Sequence, residues 1–221
     1  MADERRIILG DYDTFANGQW ILSDWSFSEP VYKDSFVAVP GRSGDLDLST
    51  TLTDGEPVYN NRTLTVALES SDGTRDDRKA RIDSMINLLD GRRMQITLPD
   101  EDTCYIYGRI HVAQNYNDPA LASVTVTANC DPWRYAKDLT TQTITATSTA
   151  TAYTLTNAGR RTVVPTLVVA GGDVTIVQGT YTTTLSAGTY ILPDITVPTG
   201  GATITVSGSG TLTVTYREAS L

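Results

Sequence analysis

The sequence predicts a mostly β protein with a single long helix, and three observations carry that expectation. Short segments rich in Val, Ile and Thr recur along the chain, many with the alternating polarity of half-buried strands. Glycine and proline interrupt them at close intervals, as turns require. Only one stretch, near residues 75–90, spaces its apolar residues as one helical stripe.

The chain has 221 residues and a formal net charge of −9. The charge is unevenly spread. Residues 1–135 hold 13 Lys and Arg against 22 Asp and Glu, whereas residues 136–221 hold four of each. The second part is also rich in Thr, Val and Gly. Such a composition break predicts two domains, 1–135 and 136–221. We expect the first to be β-barrel-like with one helix, and the second to be a β-sandwich.

The first domain opens with strands at Arg6 to Leu9, Trp20 to Phe27 and Asp34 to Pro40. Gly41-Arg42-Ser43-Gly44 and Asp54-Gly55-Glu56-Pro57 read as turns. Leu64, Val66 and Leu68 then alternate with polar residues, placing one face of that strand in a core. For the helix, Thr74 is the expected N-cap, with Asp77 reaching back to it. Ile82, Met85, Ile86 and Leu89 form the buried stripe, and Gly91 is the expected stop. Strands are expected at Met94 to Leu98, Tyr105 to Val112 and Leu121 to Cys130. From residue 140 onward, eight short β-branched segments end at Tyr216 with no helix signal, which predicts a sandwich or jelly-roll arrangement.

Several chemistries find no support. No apolar run approaches a membrane span, and the first residues lack the apolar core of a secretory signal. Folding in a cytoplasm is therefore expected, where Cys104 and Cys130 are free thiols by default and a disulfide between them would need their strands to be neighbours. No metal or other cofactor is predicted. Asp11-Tyr12-Asp13 and Asp45-Leu46-Asp47 begin like calcium loops but lack the later ligands and the sixth-position glycine. His111 is the only histidine and sits in no nucleophile motif, so it reads as a strand residue on a polar face. Acidic pairs such as Asp45 with Asp47 would need a cleft geometry to act as a glycosidase. An acidic chain without a basic stripe is a poor nucleic-acid binder. No enzymatic activity is expected.

The order of motifs resembles the distal tail protein family of long-tailed bacteriophages. The likeness rests on Gly41-Arg42-Ser43-Gly44-Asp45-Leu46-Asp47-Leu48, then Gly55-Glu56-Pro57-Val58-Tyr59-Asn60-Asn61-Arg62, then the helix ending at Leu88-Leu89-Asp90-Gly91. Tyr105-Ile106-Tyr107-Gly108-Arg109, Cys130-Asp131-Pro132-Trp133 and the final Val214 to Leu221 continue it, with Ala219 where the family often has glycine. The resemblance implies a ring-forming N-terminal domain, usually of six copies, and a galectin-like C-terminal sandwich. It implies a place at the virion tail tip, after synthesis in the host cytoplasm. The implied partners are the chain itself, the tail-tube protein, a tail-tip protein and, in many members, receptor-binding proteins.

The residues themselves suggest where such a ring would close. Segment 41–62 combines turns with alternating charges, so Gly41, Arg42, Gly44, Asp45, Asp47, Tyr59, Asn61 and Arg62 are the candidate interface residues. Arg42 and Arg62 would pair with Asp45, Asp47, Asp54 or Glu56 between protomers, or else pair within one protomer or simply face solvent. Six copies at −9 each carry a formal −54, which would repel DNA from a central conduit. Two other readings remain at this point: a tail-tube subunit, and a carbohydrate-binding module built on the Thr-rich strands.

Overall fold

A computed structural model describes residues 6–53, 55–99, 101–115 and 120–221. It divides the chain into two compact units, Met1–Pro132 and Trp133–Leu221. Asp54, one of the acids expected to pair with Arg42 or Arg62, lies outside the described residues.

The first unit runs β1 (Ile8–Leu9), β2 (Tyr12–Asp13), α1 (Thr14–Gly18), β3 (Ile21–Phe27), β4 (Phe36–Val37), β5 (Leu46–Asp47), β6 (Arg62–Ser70), α2 (Arg75–Leu89), β7 (Arg93–Thr97), β8 (Cys104–Asn115) and β9 (Ala122–Cys130). Seven of these strands form one antiparallel sheet in the order β2-β1-β7-β8-β9-β6-β3. The barrel-like expectation is met by an open half-barrel sheet, with β2 and β3 as its two ends. Alternation along a strand reports which face is buried. It says nothing about whether the outermost strands meet.

The centre of this sheet is β6 against β9, paired without a break from Arg62↔Cys130 to Ser70↔Ala122. Leu64, Val66 and Leu68 of β6 and Val124, Val126 and Ala128 of β9 all point to one face and are almost wholly buried. Ile82, Met85 and Leu89 of α2 complete that core, and Ile86 packs at its margin. Each such side chain removed from water contributes about 1.5–3 kcal/mol before entropy is subtracted.

Helix α2 starts where the sequence places it. The Thr74 hydroxyl accepts from the Asp77 N–H at 3.3 Å, and the Asp77 carboxylate accepts from the Thr74 N–H at 2.8 Å. At its other end Gly91 takes φ +74°, a conformation costly for residues with a Cβ. The exit is then stitched to β8: the Gly91 N–H donates to the Ile110 carbonyl at 2.8 Å, and the Ile110 N–H to the Arg92 carbonyl at 2.9 Å.

Helix α1 was not anticipated. Its five residues carry no apolar stripe. It exists because the Asp13 carboxylate accepts from the N–H groups of Phe15 and Ala16, both at 3.0 Å. Arg6 also lies 3.2 Å from Asp13. Trp20 is fully buried just beyond, its indole N–H donating to the Tyr12 hydroxyl at 3.2 Å. Burial raises the Tyr12 pKa above the ordinary tyrosine value.

The second unit contains β10 (Arg134–Ala136), β11 (Thr140–Thr145), β12 (Thr151–Leu155), β13 (Thr166–Ala170), β14 (Val174–Gln178), β15 (Tyr181–Leu185), β16 (Gly188–Ile191), β17 (Ala202–Gly208), β18 (Thr211–Tyr216) and β19 (Ala219–Ser220). Two four-stranded sheets, β11-β18-β13-β16 and β12-β17-β14-β15, share one core, so the unit is a β-sandwich. Leu167, Leu212 and Val214 enter it from one sheet, and Leu155, Ile176 and Ile204 from the other. The two-residue β19 pairs with β10 and was not visible as alternation. Strands β11 to β18 contain no charged residue. Their outer faces are rich in threonine, paired across strands as at Thr141–Thr215 and Thr143–Thr213, with Val168 and Ile191 also exposed.

Removing the helix cap by Thr74→Ala should lower stability by about 1 kcal/mol. A urea titration should show the midpoint falling with an unchanged slope.

Candidate functional site

Between the end of β3 and the start of β6, residues 28–61 leave the sheet as an arm. Its base is held by main-chain bonds between the two legs. The Ser28 N–H donates to the Thr63 carbonyl at 2.9 Å, the Lys33 N–H to the Val58 carbonyl at 2.7 Å, and the Asn60 N–H to the Val31 carbonyl at 2.7 Å. Further out β4 pairs with β5, Phe36 opposite Asp47 and Val37 opposite Leu46. The expected strand from Asp34 to Pro40 shrinks to this two-residue piece, because the chain there has only one neighbour to bond.

None of the described residues of this arm is buried. Val31, Tyr32, Phe36, Val37, Val39, Leu48 and Leu52 are all exposed, half of the large apolar side chains left in solvent among the described residues. An arm with no core of its own gains little to offset the roughly 1–2 kcal/mol per residue that ordering a backbone costs. A cluster of exposed apolar groups on such a segment marks an interaction surface.

The sequence candidates divide between the two ends of the arm. Gly41 and Gly44 take φ +82° and +79° and turn the chain between β4 and β5. Arg42, Asp45 and Asp47 lie exposed beside them. Asp47 accepts from the Ser49 N–H at 2.9 Å, and the Ser49 hydroxyl accepts from the Ser35 N–H at 2.9 Å, closing the hairpin. The Ser49 hydrogen bonds, side chain first and then backbone, hold the Asp47 pKa below the usual carboxylate value. Arg42 makes no ion pair among the described residues.

Tyr59, Asn61 and Arg62 sit at the base. Tyr59 bridges Tyr32 across the legs, while Asn61 is exposed. Arg62 is only 3% exposed, so its charge is not on the surface. Its guanidinium lies 3.6 Å from the centre of the Phe27 ring, and its Nε donates to the Ser28 carbonyl at 2.7 Å. The residue read as a pairing cation is thus a buried brace under the arm. The alternating charges pointed to this segment, but the exposed apolar residues were missed. Phe36-Val37-Ala38-Val39 reads as a strand core, and only the tertiary structure shows that nothing covers it.

The one histidine gives a different geometry. His111 Nδ1 lies 2.9 Å from the Asp90 carboxylate, which also accepts from the Val112 N–H at 2.9 Å. Both residues border an open groove of about 400 Å³ with Arg109 and Thr63. A His–Asp pair can serve catalysis when a nucleophile lies within hydrogen-bond reach of the imidazole. Among the described residues the imidazole has no hydroxyl or thiol partner. Cys130 is buried, and burial, with Asp131 nearby, pushes its thiol pKa up to about 12. One member of each of three acidic pairs acts locally: Asp13 and Asp77 cap helices, and Asp47 closes a hairpin. Among the described residues no three metal-binding side chains come together.

The sequence matches no protein-family model and no curated protein. A solved structure does match it in fold: the Dit protein of phage SPP1, described as a paradigm of the hub adsorption apparatus in phages that infect Gram-positive bacteria. The superposition has a TM-score of 0.66 and spans 96% of this chain and 98% of the other, at 16% identity.

The chain has the fold of SPP1 Dit.

The coverage means that the Dit fold accounts for both units and the arm-bearing sheet, not for an isolated sandwich.

Two outcomes test the site's local chemistry. Replacing Arg62 by Ala should cost about 2 kcal/mol, the order expected for a charge-assisted hydrogen bond lost from a buried site. Amide exchange at Ser28 and Thr63 should quicken with it. Asp90 should titrate below the usual carboxylate range, because the Val112 N–H, and after it His111, favours its charged form. The stabilisation from that carboxylate is present above its unfolded pKa and lost as pH falls through the lower folded pKa. A carboxyl-resolved NMR titration of the wild type and of Asp90→Asn would read it.

Proposed function

We propose that this chain is a non-enzymatic structural protein of a phage tail, forming a ring of six copies at the distal end of the tail tube. The first unit builds the ring. The second, read as a galectin-like sandwich, meets the tail-tip protein and receptor-binding machinery. The observation that carries this reading is the fold likeness to a phage hub protein through both units, almost end to end.

The arm supplies physical support. Seven exposed apolar side chains on a segment without a core fit a protein whose folded surface is completed by a neighbour. A head-to-tail contact of that kind gives a closed ring when its rotation closes. The acidic first unit suits a conduit for DNA rather than a DNA-binding surface, since like charge repels it. The sandwich strands carry no charges and few aromatic side chains, so the geometry offers little of the stacking platform that a sugar site uses.

Solution mass across a salt series, with negative-stain images of each species, tests the proposal. A closed species of about six copies, single or stacked in pairs, is the expected result, and it should be less favoured at low salt, where repulsion between copies is least screened. Long tubes would indicate a tube subunit instead. A species that stays monomeric at every salt and concentration would overturn the ring.

A further inference from the structure

We infer that the returning leg of the arm of one copy docks into a pocket on the opposite flank of the next copy, with Leu52 as its anchor. This rests on the ring reading above and names the two surfaces that would meet.

Leu52 is 97% exposed, more than any other large apolar side chain among the described residues. It is not on a loose loop. The Thr51 N–H donates to the Leu48 carbonyl at 3.2 Å, the Thr53 N–H to the Thr50 carbonyl at 3.2 Å, and the Gly55 N–H to the same carbonyl at 3.3 Å. The Thr53 hydroxyl also donates to the Thr50 carbonyl at 3.2 Å. A bonded turn that holds a leucine fully in water is preorganised to insert it elsewhere, because little ordering remains to be done on binding.

The matching pocket lies at the other end of the sheet. Its volume is about 460 Å³, and Leu9, Leu88, Leu89, Met94 and Tyr12 line it. Leu88 is 43% exposed and lies off the buried stripe of α2, so packing within the chain does not account for it. The volume falls within the 300–1,000 Å³ typical of concave binding sites. It has room for a leucine and its threonine neighbours.

Topology makes the pairing directional. The arm leaves the sheet beside β3, and the pocket is formed around β1, β2, β7 and the end of α2. β2 and β3 are the two ends of the sheet order. In the strand order each copy therefore carries its knob beside β3 and β6 and its socket around β1 and β7, two separate surfaces of the kind a repeating head-to-tail contact needs. Charge favours the same register. The rim holds Arg92 and Arg93 against one acid, Asp11. Arg93 is taken by Asp131 at 2.6 Å, and Arg92 forms no ion pair among the described residues. Asp45, Asp47 and Glu56 lie exposed on the same arm.

The test mixes two variants of the full chain, both carrying Cys104→Ser. One has Leu52→Cys and the other Leu88→Cys. Cys130 is buried and inert, so a short bifunctional thiol reagent should link the two new thiols across copies, giving a covalent heterodimer that neither variant gives alone. Leu52→Asp should leave the melting temperature unchanged, since the side chain is in water, and weaken self-association by roughly ten- to a hundredfold. Arg92→Glu should weaken it in the same direction. If rings form but the two positions do not cross-link, and Leu52→Asp assembles normally, the knob and socket are wrong while the ring stands. If no oligomer of the wild-type chain forms at any salt, both readings fall.

Discussion

The unbroken pairing of β6 with β9 is the interaction on which the first unit depends. Nine consecutive residue pairs fix its register, and a slip of one residue would turn every buried side chain outward. Leu64, Val66 and Leu68 then have one place to go, and α2 has one surface to cover. The same strand begins at Arg62, so the brace beneath the arm inherits its position from this register. Core and arm are thus set by one ladder.

What the ladder does not do is stabilise the arm. Residues 28–61 are bonded leg to leg, but none of the described residues among them is buried. The contrast with β6, where every second side chain is buried, separates a part packed within the chain from a part left open to solvent. The second unit draws a similar line differently. The inner faces of its strands hold mainly Leu, Ile and Val, and their outer faces are rich in threonine and carry no charge. Cross-strand hydroxyl contacts satisfy those faces without giving them a strong electrostatic preference.

Acidic residues show how readily composition misleads about chemistry. Pairs such as Asp11 with Asp13 and Asp45 with Asp47 look like ligand sets when read along the chain. In the structure Asp13 caps a short helix, Asp47 closes a hairpin and Asp77 completes a capping box. Each carboxylate meets backbone N–H groups that would otherwise lack partners. Asp90 does the same for Val112, and its contact with His111 is added to that structural duty.

The sequence by itself determined whatever depends on near neighbours. It contained the strand alternation, the cap at Thr74, the helical stripe through Ile82, Met85 and Leu89, and the compositional shift between two units. These follow from steric and hydrogen-bonding rules that act within a few residues. Tertiary structure decided the rest. The sheet stays open between β2 and β3, Arg62 is buried beneath Phe27, and Phe36 and Leu52 stand in water while Leu64 does not. An apolar residue carries the same local signal in either case. Its burial depends on which distant strand arrives to cover it, and contacts between residues far apart in the chain are set by the whole fold.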